Sequence, residues 1–307
     1  MKLVIFGCGK IANRIAKGCL EVKEIELVGF ASKDINKARE YCETYNCKQY
    51  GDYDYFLNSD VDAVYIATYN LSHYELIKKC IEHHKSVICE KPILHDPDLL
   101  TDVFDLAKKN NVTLMEALKS VFLPINIKVK ELIQNKTIGN INYISAAFMR
   151  NGSHPGNHWI NDLKSGGALR DLGSYCIGTL NYLFDQEPIV TSIETDGSLE
   201  HVDTTTSIDL LYGDIKGRIS VSNSKDGDNS LTIVGDSGKI VVENFWKTGE
   251  AYYEVNKNTY ILNEECINDF YYELKHFAYL VDNKILQSNI MSEEFSQGIL
   301  TVTNSYI

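Results

Sequence analysis

The chain has 307 residues, 44% of them hydrophobic, which is enough to bury two cores and to form two domains. Its formal net charge of -12 at pH 7 argues against a nucleic-acid surface or a polybasic membrane contact, since both need clustered cationic side chains. No apolar run approaches the roughly 20 residues that cross a bilayer, and the eight cysteines form no Cys-x-x-Cys pair, so we predict a cytoplasmic protein with reduced thiols.

The first third of the chain alternates short β-branched, apolar runs with longer amphipathic stretches. The runs typical of buried strands are Leu3 to Phe6, Ile25 to Ala31, Val61 to Ala67, Ser86 to Cys89 and Val112 to Met115. Strands and helices in alternation predict a doubly wound parallel sheet with right-handed crossovers. We therefore predict an α/β domain over residues 1–118.

After Pro124 the pattern changes, and we predict a second domain over residues 119–307. Its predicted elements are a helix from Ile125 to Gln134, a strand from Asn140 to Arg150, a helix from Gly167 to Phe184, strands within Ile189 to Val242, and helices from Glu264 to Val281 and Ser292 to Asn304. Turn sequences such as Gly235-Asp236-Ser237-Gly238 break the strand region and indicate an antiparallel sheet. The last helix could pack back on the first domain.

The segment Gly7-Cys8-Gly9-Lys10-Ile11-Ala12 lies where the first strand turns into the first helix. Gly7 permits a tight turn, Gly9 lets backbone N–H groups approach a diphosphate, and Ala12 lets the helix pack on the strand. This Gly-x-Gly-x-x-Ala pattern predicts a dinucleotide site. An ordinary strand-to-helix turn is the alternative.

Ser32 and Lys33 follow the second strand, with Asp34 next in the chain. An acidic residue at this place would bind the 2′-hydroxyl of the adenosine ribose, whereas a hydroxyl and a lysine suit a 2′-phosphate. We therefore predict NADP or NAD as cofactor, with NADP preferred. The alternative is that Ser32 caps the next helix and that Lys33 is solvated.

Small and polar residues follow the strand that ends near Ala67, at the sheet edge where doubly wound folds bind ligands. The candidates for cofactor contacts at this edge are Ala67, Thr68, Asn70 and His73. For His73, a packed or capping role is an equal alternative to a place near the nicotinamide.

A possible proton-transferring group combines Lys91 with two residues far downstream. Glu90 and Lys91 follow an apolar strand, and Pro92 restricts Lys91 to extended backbone; the Lys91–Pro92 bond is a candidate for the cis form. If the segment from Asp171 to Tyr175 is helical, these two side chains share one face, and a lysine beside them would complete the group. A core-packed tyrosine is the alternative for Tyr175, since the chain has 19 tyrosines.

Together these motifs resemble the Gfo/Idh/MocA family, which includes glucose-fructose oxidoreductases and inositol dehydrogenases. The resemblance covers nearly the whole chain and is carried by Gly7 to Ala12, Ala67 to Asn70 with His73, Glu90-Lys91-Pro92, Met115 to Ala117 through Phe122 to Pro124, Trp159, Ser165 to Ala168, and Asp171 to Tyr175. It implies a Rossmann domain followed by an α/β domain with a large open sheet, whose outer face forms the interface of a homodimer or higher oligomer. It also implies hydride transfer between a nicotinamide and a hydroxyl or carbonyl carbon of a small sugar, polyol or diol.

The resemblance implies that Lys91, Asp171 and Tyr175 are catalytic and that Glu90 lies at the cofactor. In reduction, we expect Tyr175 to deliver a proton to the carbonyl oxygen, Lys91 to stabilise the developing negative charge, and Asp171 to orient the substrate or the lysine. In having a tyrosine at position 175, the chain is similar to the glucose-fructose oxidoreductase and dimeric dihydrodiol dehydrogenase branches of the family. The dihydrodiol dehydrogenase branch often has an arginine at the position of Val121. In this chain Lys119 supplies a nearby positive charge instead, so the resemblance does not identify the substrate.

The candidate substrate-binding residues, which could bind hydroxyls or stack on a sugar face, are Arg150, Asn157, His158 and Trp159. His154 and His158 have the spacing of zinc ligands on a helix, but a proline and a glycine between them argue against a helix, so we predict no metal site. Two other functions stay open: a glycosidase of the same fold that retains its nucleotide, and a non-enzymatic nucleotide-binding regulator. The regulator is harder to reconcile with a retained proton relay.

Overall fold

The computed structural model describes residues 1–152 and 158–305 and divides the chain into two compact units. The first unit comprises Met1–Leu118 and Phe270–Gln297. The second comprises Lys119–Asp269 and Gly298–Ile307. His154 and Asn157 lie outside the described residues, so their predicted roles have no structural outcome.

Strands and helices alternate in the first third of the chain, and strands dominate the region from about residue 189. The strands are β1 Lys2–Phe6, β2 Glu26–Ala31, β3 Gln49–Gly51, β4 Ala63–Ile66, β5 Ser86–Glu90, β6 Leu114–Ala117, β7 Ile141–Met149, β8 Ile189–Thr195, β9 Thr205–Tyr212, β10 Ile215–Ser222, β11 Ser230–Gly235, β12 Gly238–Glu243, β13 Glu250–Val255 and β14 Asn258–Asn263. The helices are α1 Lys10–Glu21, α2 Ile35–Thr44, α3 Tyr53–Leu57, α4 His73–Glu82, α5 Pro97–Lys109, α6 Pro124–Gln134, α7 Ser174–Phe184, α8 Tyr271–Asp282 and α9 Glu293–Thr303.

The first unit is built on a six-stranded parallel sheet with the order β3-β2-β1-β4-β5-β6. Strands β1, β4 and β5 are almost wholly buried, as expected of a parallel sheet covered on both faces. The chain reverses its direction of travel across the sheet between β1 and β4, and ligands of such folds bind outside the carboxyl ends of the strands at this point. The predicted doubly wound sheet is confirmed.

Aspartates fix the start of three helices in the first unit. Asp34, Asp52 and Asp96 accept backbone N–H groups at the beginnings of α2, α3 and α5. Such caps satisfy donors that have no partner within the helix, typically worth about 1 kcal/mol each. Each of these caps fixes the residue at which the loop after the preceding strand ends and the helix begins.

The segment 270–297 belongs to the first unit, whereas the sequence assigned all of 119–307 to the second domain and left only the last helix as an option. Helix α8 packs on α1 and buries Leu274 and Phe277. Beyond it, Leu114 of β6 pairs with Gln287, and Thr113 donates a hydrogen bond to the Ile285 oxygen at 2.9 Å. Segment 270–297 therefore belongs to the first unit because it buries apolar side chains there and pairs with the edge strand β6.

The second unit is built on an eight-stranded sheet with the order β14-β13-β12-β11-β7-β10-β9-β8. Strands β7 and β10 pair in parallel, and the other pairings among the described strands are antiparallel. Along β9 buried residues alternate strictly with half-buried ones, so one face of the strand lies against the core. Helix α7 packs against β7 and α6 packs against α7. The predicted large, mostly antiparallel sheet is confirmed; its predicted role in a homodimer stays a prediction.

Besides the short strand β3, which was not predicted, three local differences separate the structure from the predicted elements. Strands β13 and β14 lie beyond the predicted strand region, which ended at Val242. The segment Leu169–Gly173 forms a π-helical turn, and the α-helix starts only at Ser174. Helix α8 starts at Tyr271, seven residues later than Glu264. Over the described part of the chain, no helix combines the length and the apolar character needed to cross a membrane.

Candidate active site

The turn between β1 and α1 holds the predicted diphosphate-binding residues. Gly7 has a φ of +111°, and a Cβ at this position would lie 2.4 Å from the backbone oxygen of Ala67, so glycine is required. At Gly9, by contrast, a Cβ would meet no heavy atom of the described residues within 4 Å. The N-terminus of α1 therefore opens onto a space that suits a diphosphate, and the residues present fit a dinucleotide.

Two tyrosines support this turn. The Tyr41 hydroxyl donates to the Gly9 oxygen at 2.9 Å, and the Tyr45 hydroxyl donates to the Asn13 oxygen at 3.0 Å. Both rings pack against Phe30 of β2, with centroid distances of 5.3 and 5.6 Å. No local pattern distinguishes these tyrosines from the others, so the sequence did not reveal them.

The end of β2 brings together a hydroxyl, a thiol and lysines. Asp34 uses its carboxylate to cap α2, while the Ser32 hydroxyl accepts the Asp34 N–H at 3.1 Å. The proposed cap at Ser32 is therefore wrong in detail, since Asp34 holds that position. Burial raises the pKa of the Cys8 thiol to about 11, against the opposing effects of the Ser32 hydroxyl and the Lys37 ammonium. Lys37, four residues after the exposed Lys33, is a further cation here, and no local pattern in the sequence marks it.

His73 lies between the loops that follow β4 and β5. Its ring is 1% exposed, with Nδ1 at 3.2 Å from the oxygens of both Pro92 and Ile93 and Nε2 at 3.3 Å from the Thr68 oxygen. Burial lowers the pKa of His73 to about 4, although these carbonyls act in the opposite direction. The histidine is thus packed and neutral near pH 7, and it connects the Thr68 loop to the loop of Lys91. Its contact with a nicotinamide stays a prediction.

The loop after β4 is closed by its own polar groups. The hydroxyls of Thr68 and Ser72 are 2.8 Å apart, and Ser72 donates to the Tyr69 oxygen at 2.6 Å. Asn70 is buried, at 7% exposure. Ala67, Thr68 and Asn70 therefore lie at the carboxyl edge of the sheet, as predicted, on a loop of defined shape.

Lys91 follows β5 directly, and the Lys91–Pro92 peptide bond is cis. Beside it, buried carboxyl groups gather around one tyrosine. The Tyr65 hydroxyl donates to Glu90 at 2.9 Å and lies 3.3 Å from Glu273. Glu116 accepts the Ile93 N–H at 3.0 Å, and burial raises the pKa of Glu116 while the charge of Lys91 opposes this rise. The Glu90 carboxylate is thus hydrogen-bonded within a buried group that includes Tyr65 and Glu273, and its contact with the cofactor stays a prediction.

In the second unit, the π-helical turn Leu169–Gly173 places Asp171 just before α7. Turns of this kind occur often at functional sites. Asp171 is 6% exposed, and it accepts a hydrogen bond from Arg150 Nη2 at 2.8 Å. Two residues predicted for different roles, substrate binding for Arg150 and orientation for Asp171, therefore form one ion pair.

Tyr175 lies in the first turn of α7 among aromatic and charged side chains. Its ring is 6.0 Å from that of Phe148, which stacks on Trp246 at 3.6 Å. Lys119 Nζ lies 6.0 Å from the centre of the Tyr175 ring, and the same ammonium forms a buried ion pair with Asp269. Phe148, Trp246 and Asp269 were missed, because the contacts of Phe148 with Tyr175, of Trp246 with Phe148 and of Asp269 with Lys119 arise only through the fold of the second unit.

The loop before the π-helical turn is held by its glycine pair. Gly167 has a φ of +102° and donates its N–H to the Ile160 oxygen at 2.9 Å, and a Cβ on Gly166 would lie 2.2 Å from that same oxygen. His158 Nδ1 accepts the Ile160 N–H at 3.3 Å, and its ring lies 5.6 Å from that of Trp159. His158 and Trp159 are therefore neighbours on one short turn, and their contacts with substrate stay a prediction.

Family models match both parts of the chain. Residues 1–118 match the model described as "Oxidoreductase family, NAD-binding Rossmann fold", and residues 126–241 match the Gfo/Idh/MocA C-terminal domain. A trans-1,2-dihydrobenzene-1,2-diol dehydrogenase of Mus musculus is 30% identical over 256 residues, which cover 80% of this chain and 75% of that protein. The chain belongs to the Gfo/Idh/MocA family. It is an NAD(P)-dependent oxidoreductase, and the predicted family, enzyme class and cofactor class are confirmed.

Other proteins match this chain over almost the full length. The trans-1,2-dihydrobenzene-1,2-diol dehydrogenase of Xenopus laevis is 28% identical over 313 residues, which cover 97% of this chain and 94% of that protein. An aldose-aldose oxidoreductase from Caulobacter crescentus, solved with glycerol, has a TM-score of 0.90 at 21% identity, over 99% of this chain and 96% of the other. A 3-ketoreductase from Actinomadura kijaniata, solved with NADP and TDP-benzene, has a TM-score of 0.90 at 19% identity, with the same coverage. At such identities the solved structures establish the shared fold.

Lys91 lies in the first unit of this Gfo/Idh/MocA protein, and Asp171 and Tyr175 lie in the second. The structure brings Asp171, Arg150, Tyr175 and Lys119 together within the second unit. It likewise brings the β1–α1 turn, Ser32 and Lys37 together within the first. The meeting of Lys91 with Tyr175 stays a prediction.

Proposed function

We propose that the enzyme interconverts a hydroxyl and a carbonyl group on a small sugar, polyol or diol, with Lys91, Asp171 and Tyr175 as its catalytic residues. The observation that carries this proposal is the arrangement at the start of α7. There a buried Asp171, held by Arg150, precedes Tyr175 by four residues beside a second cation. The names of the diol dehydrogenase and aldose oxidoreductase relatives support the substrate class.

The turn from Gly7 to Ala12 would hold the diphosphate through the N–H groups at the start of α1. The loop of Thr68 and Asn70 would lie along the nicotinamide side. Ser32, Lys33 and Lys37 would receive a 2′-phosphate. Because the Asp34 carboxylate already accepts two N–H groups of α2, it is a poorer acceptor for a ribose 2′-hydroxyl, which favours NADP over NAD.

A bound nicotinamide supplies the hydride acceptor or donor for the reaction. The protein's own groups manage the proton and the charge. In reduction, the Tyr175 hydroxyl gives its proton to the carbonyl oxygen of the substrate, and in oxidation its oxygen takes the proton back. A tyrosine ordinarily has a pKa near 10, so neighbouring cations are needed to stabilise the phenolate. Lys91 is the cation assigned to the reacting oxygen, and Asp171 orients the substrate.

The test begins by titrating NADP and NAD by fluorescence and by screening aldoses, inositols, ketoses and diols at the nicotinamide absorbance band. We expect Lys91→Met and Tyr175→Phe to lower kcat by about 10²–10⁴-fold, while the Kd for NADP changes less than about threefold. The matched controls are Lys23→Met and Tyr279→Phe, which alter exposed residues and should leave kcat unchanged. Normal turnover in Lys91→Met would refute the assignment. Release of sugar from a chromogenic glycoside without net nicotinamide turnover would point to the nucleotide-retaining glycosidase instead.

A further inference from the structure

Lys119 is placed next to Tyr175 by a rigid short turn in the second unit. The turn Lys119–Phe122 packs against α7. The Ser120 hydroxyl lies 2.9 Å from the Thr179 hydroxyl. Asn126 Nδ2 donates hydrogen bonds to the backbone oxygens of Ser120, at 2.8 Å, and of Phe245, at 2.9 Å. These bonds tie the turn to α7, to α6 and to the segment before Trp246, so the position of Lys119 is built into the fold.

The ammonium of Lys119 faces the aromatic ring of Tyr175. Thr179 lies one helical turn beyond Tyr175, so the anchor of the turn and the tyrosine share one face of α7. The Lys119 side chain is 3% exposed, and its Nζ lies 6.0 Å from the ring centre. A buried cation over an aromatic face is screened little by solvent, so it acts more strongly than a surface lysine would.

Asp269 is the counter-ion of this ammonium and is itself only 12% exposed. Asp171, four residues before Tyr175, forms a separate ion pair with Arg150. Cys266 adjoins Lys119 and Asp269, but burial raises the pKa of its thiol, so it adds no charge near pH 7. Lys119 thus places a buried, anchored ammonium over the ring of Tyr175.

We propose that Lys119 is a positioning residue that stabilises the phenolate form of Tyr175, with Asp269 holding its ammonium in place. This inference rests on the proposed role of Tyr175 as the proton donor. In reduction, the O–H bond of Tyr175 breaks and its proton goes to the carbonyl oxygen, and the electron pair stays on the phenolate oxygen. The Lys119 ammonium lowers the energy of that anion through space without exchanging a proton.

The inference is tested by observing the ionisation of Tyr175 directly. The full-length protein is labelled with [¹³Cζ]-tyrosine, with and without saturating NADP, and the Tyr175 resonance is assigned by its loss in Tyr175→Phe. We expect Lys119→Met to raise the pH midpoint of this resonance by about 0.5 unit or more, and Lys119→Arg to keep it near the wild-type value. With a substrate in hand, the acidic limb of the oxidation pH profile, where activity is lost as the Tyr175 phenolate takes a proton, should move by the same amount.

Ser120→Ala is the matched control, because it removes the anchor between the turn and α7 but keeps the ammonium. A purely structural role predicts that Ser120→Ala and Lys119→Met behave alike, whereas we expect the midpoint to move only in the latter. If Lys119→Met does not fold because Asp269 is left uncompensated, Lys119→Gln takes its place with the same expected direction, since its amide can still donate to Asp269 while the positive charge is lost. An unmoved midpoint overturns the inference. Full turnover in Tyr175→Phe would instead overturn the proposed function, so the two failures are distinguishable.

Discussion

The imidazole of His73 has backbone carbonyl oxygens at both ring nitrogens. A doubly protonated ring could donate to both sides, whereas a neutral ring donates from one nitrogen only. Burial nonetheless prevails, because removing an imidazolium from water costs more than the second hydrogen bond returns. The pKa of His73 is accordingly lowered to about 4. Its neutral state holds the Thr68 loop and the Pro92 loop together at neutral pH.

This depressed pKa predicts a pH-dependent loss of stability. Below the ordinary pKa of 6.5, His73 binds a proton in the unfolded chain, whereas in the folded chain it stays neutral until the pH falls to about 4. The contribution of neutral His73 to the free energy of unfolding is thus fully present above pH 6.5 and is lost as the pH falls towards 4. Over this window it amounts to roughly 3 kcal/mol. We expect His73→Gln, which keeps a donor but does not titrate, to lack this part of the acid dependence.

The measurement is urea unfolding of the wild type and of His73→Gln at pH 7.5 and pH 4.5. Carboxyl groups titrate in both proteins, so the difference between their free energies of unfolding isolates the histidine. That difference should change by roughly 2–3 kcal/mol in favour of the variant at the lower pH. A difference that stays constant with pH would show that His73 is not buried in its neutral form.

At the scale of elements, the β1–α1 turn contains two glycines with different physical reasons to be there. Gly7 has a left-handed backbone and no room for a side chain against Ala67. Gly9 has an extended backbone, with a φ of -101°, and open space beside it among the described residues. The fold therefore requires glycine at position 7 but not at position 9, where we predict that the open space receives the diphosphate.

We expect Gly7→Ala to destabilise the protein by roughly 3 kcal/mol or more, because it combines a disfavoured φ with a backbone clash. Gly9→Ala should cost about 1 kcal/mol at most, yet weaken NADP binding at least about tenfold, since its methyl group would occupy the space of the diphosphate. Thermal unfolding and fluorescence titration with NADP separate the two effects. Wild-type affinity in Gly9→Ala would show that the diphosphate lies elsewhere.

Local sequence was sufficient to predict elements whose functional residues are neighbours in the chain. The glycine turn, the Lys91 strand end and the helix that carries Tyr175 were all predicted from neighbouring residues. The π-helical turn before α7 was not, because apolar spacing does not distinguish it from the start of an α-helix. Strand β3 has three residues and none is buried, so it carries too little pattern to be recognised.

Contacts between distant segments could not be predicted from spacing. Lys119 and Asp269 are 150 residues apart in sequence, and only the fold of the second unit brings them together at Tyr175. Tyr65 and Glu273 are 208 residues apart and meet because segment 270–297 joins the first unit. Such pairs have no periodicity of their own, whereas strand and helix patterns repeat every two or about 3.6 residues.

At the scale of the whole molecule, the chain passes between its two units three times, after Leu118, Asp269 and Gln297, and the last passage lies inside helix α9. A helix shared in this way cannot remain half folded without losing backbone hydrogen bonds. We therefore expect the two units to unfold together. The chain has two tryptophans, Trp159 and Trp246, and both belong to the second unit, which allows a direct test.

NADP at about 100 times its Kd should stabilise the native chain by about 2.7 kcal/mol, which corresponds to about 4 °C in Tm for a protein of this size. The dinucleotide turn lies in the first unit, while tryptophan fluorescence reports on the second. Coupled unfolding predicts that the fluorescence midpoint and the circular-dichroism midpoint rise by the same amount. Independent units would leave the fluorescence midpoint where it was. Gly9→Ala serves as the control, since a roughly tenfold weaker affinity should reduce the NADP-induced shift by about half in both signals without separating them.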